Sequence, residues 1–165
     1  MNKNILLAPI VLFLTLLMSS PVYAFSSDAK VGDTYLVSTI AGEAQSRSSG
    51  ELIIVPAVLE LRCVITEITP KVVLFKIIDG TIRINGTTYT VVGGWWRGIH
   101  IKSIERSLVE GTAIDGEGNR INFILTGKDT RHTAGGTFMN IVGGFKDSDG
   151  AYWKLKIKAW RYKLG

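Results

Sequence analysis

The side chains best suited to chemistry are few in this 165-residue chain and lie far apart. His100 and His132 are the two histidines, and no HxH or HExxH spacing or cysteine partner accompanies either. Metal sites recognisable from sequence need such spacings, so the expectation is no metal and no cofactor. Serine, histidine and acidic residues are all present, but no G-x-S-x-G nucleophile elbow appears. Glu60, Glu67, Glu105 and Glu110 fall in or beside strand-like runs. A carboxylate pair inside a barrel is therefore the one acid–base arrangement left open, and enzymatic activity is the minor reading, since strand-borne charges are usually solvated.

Cys63 is the single cysteine, which excludes an intrachain disulfide. Within LELRCVI it alternates with Leu59, Leu61 and Ile65, as a small buried hydrophobe would. The acidic segments Asp115-Gly116-Glu117-Gly118 and Asp147-Ser148-Asp149-Gly150 resemble calcium loops in composition. A calcium loop, however, collects six to eight oxygens, and Asp first with Gly fourth is what a type I turn requires.

Two groups of residues look suited to binding. Trp95, Trp96 and Arg97 follow Gly93-Gly94, and together with Tyr89 they are candidate ligand contacts. One reading is a mobile aromatic lip over a ligand cavity; because neighbouring strand residues face opposite ways, the favoured alternative is that one tryptophan plugs the core and the other shields it. Lys154, Lys156 and Lys158 alternate along the last apolar run beside Tyr152, Trp160 and Tyr162, a candidate surface for an anionic polymer. The competing role of such lysines is to keep a strand from pairing with other chains. Nucleic acid is not an expected partner of an exported chain.

The elements that carry these residues are strands. Asn85-Gly86 between Ile82-Arg83-Ile84 and Thr87-Thr88-Tyr89 predicts a two-residue type I′ hairpin pairing Ile84 with Thr87, Ile82 with Tyr89 and Gly80 with Val91. Asn85 also begins an Asn-Gly-Thr glycosylation sequon, which the turn explains without sugar. GTAIDGEGNRINF from Gly111 and GGFKDSDGAYWKL from Gly143 share a skeleton, and three-residue turns ending in Gly118 and Gly150 keep an apolar face unbroken. Those turns place Gly111 opposite Phe123 and Gly143 opposite Leu155. An inward glycine beside a bulky partner marks a strand that bends as its sheet coils or closes.

Other strands are expected over residues 33–41, 51–55 with a stop or bulge at Pro56, 57–68 and 72–78. Residues 99–114 read as one bent strand, 44–50 as a loop and 128–136 as a polar connection. No window carries a helical apolar period. The fold class is thus all-β: an antiparallel meander of about 8–10 strands forming a small closed or partly open barrel, with a β-sandwich as the alternative.

Lys3, the apolar run Ile5–Met18 and small residues up to Ala24 have the layout of a secretory signal. Residues 1–24 are expected to be removed, leaving 25–165 as a single all-β domain; the run is too short to span a bilayer, so no transmembrane segment is expected in the mature chain. Losing Lys3 lowers the net charge from +5 to +4, a balance that solubility alone explains. The functional expectation is an exported, non-catalytic barrel that binds a small apolar or amphipathic ligand, located outside the cell, in the periplasm or at the cell surface. The alternatives are a structural or adhesive envelope protein and a metal-independent cyclase- or isomerase-like enzyme acting on a small hydrophobic substrate. N-terminal sequencing of exported protein should read from Phe25; material still beginning at Met1 would refute cleavage.

Overall fold

A computed structural model describes residues 28–48, 50–101 and 104–165. The expected signal segment lies outside them, as does Lys102. Eight strands run in chain order: β1 (Thr34–Ser48), β2 (Glu51–Ile68), β3 (Val72–Ile84), β4 (Thr87–Ile101), β5 (Ile104–Ile114), β6 (Arg120–Thr133), β7 (Gly136–Lys146) and β8 (Tyr152–Lys163). Each pairs antiparallel with the next, and β8 pairs with β1 to close a barrel. The sandwich alternative is thereby excluded.

Closure imposes a stagger. Paired residues followed once around, from Thr34 through Val64, Lys76, Trp95, Glu110, Ile124, Gly144 and Lys154, return to Gln45, eleven residues further along β1. Strands so offset must tilt steeply, and eight of them enclose a space that side chains can fill. Val37, Leu61, Ile82, Leu125, Ile141 and Leu155, from six different strands, are each fully buried there. Burying a side chain of this size contributes about 1.5–3 kcal/mol, and no disulfide is present to assist, since Cys63 is a buried free thiol. Burial pushes that thiol up to about 12, so it stays protonated and inert.

The hairpins follow the turn chemistry closely. Asn85 and Gly86 both have positive φ (49° and 85°), and Ile84 pairs with Thr87, Ile82 with Tyr89 and Gly80 with Val91. At the acidic turns, Asp115 and Asp147 accept backbone N–H bonds from Gly118 and Gly150 through their carbonyls, while their carboxylates cap Asn119 and Ala151. Gly111 lies opposite Phe123 and Gly143 opposite Leu155.

Other segments depart from expectation. Pro56 does not stop β2: pairing with β3 begins only at Ala57, so a missing N–H costs no bond on that side, and its carbonyl accepts from Asn85. Residues 44–48 belong to β1, because β2 pairs with them, and β8 with Ala44 and Gln45, despite their polar composition. The bent strand over 99–114 is two antiparallel strands, with Ile99 facing Arg106. The polar connection over 128–136 is mostly strand; β6 continues to Thr133 and β7 starts at Gly136.

Along β8 the outer face is polar where the inner is apolar: Lys154, Lys156 and Lys158 point outward while Leu155, Ile157 and Ala159 point in. Among the described residues no helix is long and apolar enough to cross a membrane.

The bending role of glycine is testable. A Cβ at Gly143 would collide with the Ile124 carbonyl oxygen, whereas one at Gly116 meets nothing within 4 Å. Gly143→Ala should therefore destabilise by about 1–3 kcal/mol in urea unfolding, and Gly116→Ala should stay within about 0.5 kcal/mol of wild type.

Candidate functional site

Which tryptophan meets solvent is decided by a break in alternation. Along β4, Tyr89 and Val91 point inward, and strict alternation would carry Trp95 inward too. A bulge against β5 between Val91 and Gly93 adds a residue, and Gly93 and Gly94 take φ of 155° and 156°, outside the range comfortable for other residues. The inward set becomes Trp96 and Gly98, and Trp95 turns outward, 48% exposed. A Cβ on Gly94 would strike the Glu110 carbonyl, so the bulge also needs glycine for space.

Trp95 consequently walls a groove of about 520 Å³ on the outer face. Gly93, Gly94 and Gly111 form its floor, where backbone takes the place of side chains. Val92 and Ile124, both substantially exposed, extend the apolar side. Across from them Thr112 donates to Asn122 Oδ1 at 2.9 Å, with Glu110 and Arg120 completing a polar rim. An apolar wall facing a row of donors and acceptors suits an amphipathic ligand.

The other expected contacts lie elsewhere. Tyr89 is buried edge-on against Phe145, with ring centroids 5.0 Å apart, and Trp96 is buried against Phe75 at 6.1 Å. Arg97 is exposed two positions along β4 from Trp95 and does not line the groove. Thus Trp95 alone of those four reaches it. Lys156 and Lys158 border a second groove of about 540 Å³ over Gly42 and Val142, and Lys156 is shared with Glu43 at 3.4 Å. Lys154 borders a third, near Tyr152 and Arg47.

A polar cluster missed by sequence reasoning occupies the inside of the opposite barrel end from the Asn85-Gly86 turn. Arg161, with a side chain 5% exposed, donates to Asp129 Oδ2 at 2.9 Å. Its guanidinium stands 5.8 Å from the Trp96 ring centre, an attraction strengthened by the shared burial. Burial pushes the Asp129 carboxyl above its ordinary range; Arg161 opposes that, Glu105 adds to it, and His132 also opposes it. His132 Nε2 meets Glu105 Oε2 at 2.5 Å, and its Nδ1 meets Thr137 Oγ1 at 3.0 Å. Trp96 Nε1 and Ser107 Oγ are buried without a hydrogen-bond partner.

The sequence held a usable signal for this cluster. Glu105, Ser107, Asp129, Thr137 and Arg161 all share the parity of the inward apolar residues on their strands, such as Val109, Leu125, Met139 and Ala159.

These features define a closed eight-stranded antiparallel barrel with a packed interior, an external aromatic groove and an ionic cluster at one end. Compared with known proteins, the chain matches no family model and no curated protein.

The buried ion pair supports a quantitative expectation. Arg161→Met alone leaves Asp129 buried and unpaired and should cost about 3–5 kcal/mol in urea unfolding. Adding Asp129→Leu should recover most of that loss; a double variant no better than the single would show that the two charges do not act as a pair.

Proposed function

We propose that this protein is an exported, non-catalytic binding module whose amphipathic ligand lies on the outer face of the barrel, in the Trp95 groove. The observation that carries the reading is the Gly93-Gly94 bulge, which spends two conformationally demanding positions to turn a large aromatic side chain into solvent. An exposed indole has no stabilising role in the core, and beside the Thr112–Asn122 rim it offers stacking and hydrogen bonding together. A sugar ring, with one apolar face and a perimeter of hydroxyls, has the matching chemistry.

Export is supported by Lys3, the apolar run and the small residues ending at Ala24. An interior ligand is less favoured, because the inward positions of the strands are taken by the protein's own side chains. An anionic surface polymer is the lesser partner, since Lys156 already has Glu43. The enzyme reading draws support from the burial-shifted Asp129, but Arg161 is bonded to that carboxylate.

The test is calorimetric and fluorescence titration with short neutral oligosaccharides and a monomeric alkyl glucoside. Saturable binding with a change in indole emission is expected, and Trp95→Ala should weaken it at least tenfold by calorimetry, about 1.4 kcal/mol. A flat titration across both ligand types, or binding unaltered by Trp95→Ala, would overturn the reading.

A further inference from the structure

The ionic end of the barrel brings together residues that sequence spacing kept apart. Glu105 from β5 and Asp129 and His132 from β6 each offer a ligand atom, and these atoms lie within 4.8 Å of one another. The other histidine of the chain, His100, is the register partner of Glu105, so both histidines come to this one end of the barrel. We propose that Glu105, Asp129 and His132 form a binding site for a divalent transition-metal cation, with zinc the best match to two carboxylates and an imidazole.

Several observations support a cation here. The cluster joins nitrogen and oxygen ligands, a set suited to zinc, where a purely acidic group would suit calcium or none. Zinc bonds of about 2.0–2.2 Å place ligand atoms roughly 3.4 Å apart, so a cation would open the 2.5 Å His132–Glu105 contact and draw in the more distant atoms, which now lie within 4.8 Å. Arg161 binds Asp129 through Oδ2, leaving the carboxylate a second oxygen to offer and fixing its position from behind.

Thr137 supplies the support usual for a metal-bound histidine. Its hydroxyl lies 3.0 Å from His132 Nδ1 and is buried, so it holds the ring in place. A hydroxyl both donates and accepts. With Nδ1–H donating to Thr137 Oγ, the Nε2 lone pair is available to a cation.

Ser107 is the independent sign of a missing partner. It is 6% exposed, its Oγ has no hydrogen bond, and it occupies the inward position next to Glu105 on β5, opposite Gly127 and next to Asp129 on β6. A buried hydroxyl left unmade costs about 1–3 kcal/mol. A water carried on the cation supplies the bond it lacks.

The test uses untagged full-length mature protein. Zinc titration by calorimetry should give one site per chain with micromolar or tighter affinity, and cobalt(II) should give visible ligand-field bands that zinc abolishes. His132→Gln and Glu105→Gln should each weaken binding ten- to a hundredfold, with melting temperatures in chelator close to wild type. Glu117→Gln, in the acidic turn at the other end, should change nothing. Affinity no tighter than about 1 mM, or binding lost with Glu117→Gln and kept in the cluster variants, would overturn the proposal. If one cluster variant fails to fold, the other and the cobalt spectrum decide.

Discussion

Hydrogen-bonded closure between β1 and β8 is the constraint from which the rest of this barrel follows. A closed sheet has no free choice of tilt or stagger, so each strand must reach its neighbour at a fixed offset while keeping one side apolar. Strict alternation cannot satisfy both demands along strands of 11 to 18 residues. The chain resolves this with bulges. Inward positions change from odd to even along β1 between Val37 and Ala44, along β3 between Ile77 and Ile82, and along β4 between Val91 and Trp96. The bulges in β3 and β4 lie side by side, so the pairing of the two strands continues across them.

The same constraint separates what could be read from the sequence from what could not. Turns with a specific backbone demand were legible to the residue: Asn85-Gly86, and the three-residue turns closing on Gly118 and Gly150, each set a register that the structure keeps. Glycines facing bulky partners correctly marked a coiling, closing sheet. Strand ends without such chemistry were not legible. Residues 44–48 and 128–133 are strand because neighbours pair with them, and a polar composition carries no trace of that long-range bond. Pro56 misled for a related reason, since its effect depends on whether a partner lies beside it.

The aromatic groove was half legible. Sequence indicated that Trp95 and Trp96 divide between core and surface, yet assigning them needed the phase of β4 on both sides of the glycine pair, which a bulge resets. The ionic end was less legible still. Reading 128–136 as a connection removed Asp129 from the strand phase it shares with Glu105 and Arg161; His132, of opposite parity, joins them only through the bulge between Asp129 and Arg131. Polar residues at inward phase near a strand end are the signal to follow in such barrels, because an ionic group is held there only when others accompany it.

The hairpin between β1 and β2 departs from closure. From Glu51 to Val55, β2 is bonded to β1 but has not yet met β3, and Leu52, Ile53 and Ile54 are all exposed, so solvent reaches both faces of this ribbon. Here a five-residue margin presents backbone donors and acceptors outward beside aliphatic side chains. In this sense the molecule has a seam, and Pro56 terminates it by withholding a donor at its root. A fold closed around its circumference thereby keeps a short aliphatic tract whose main chain can be read by another polypeptide.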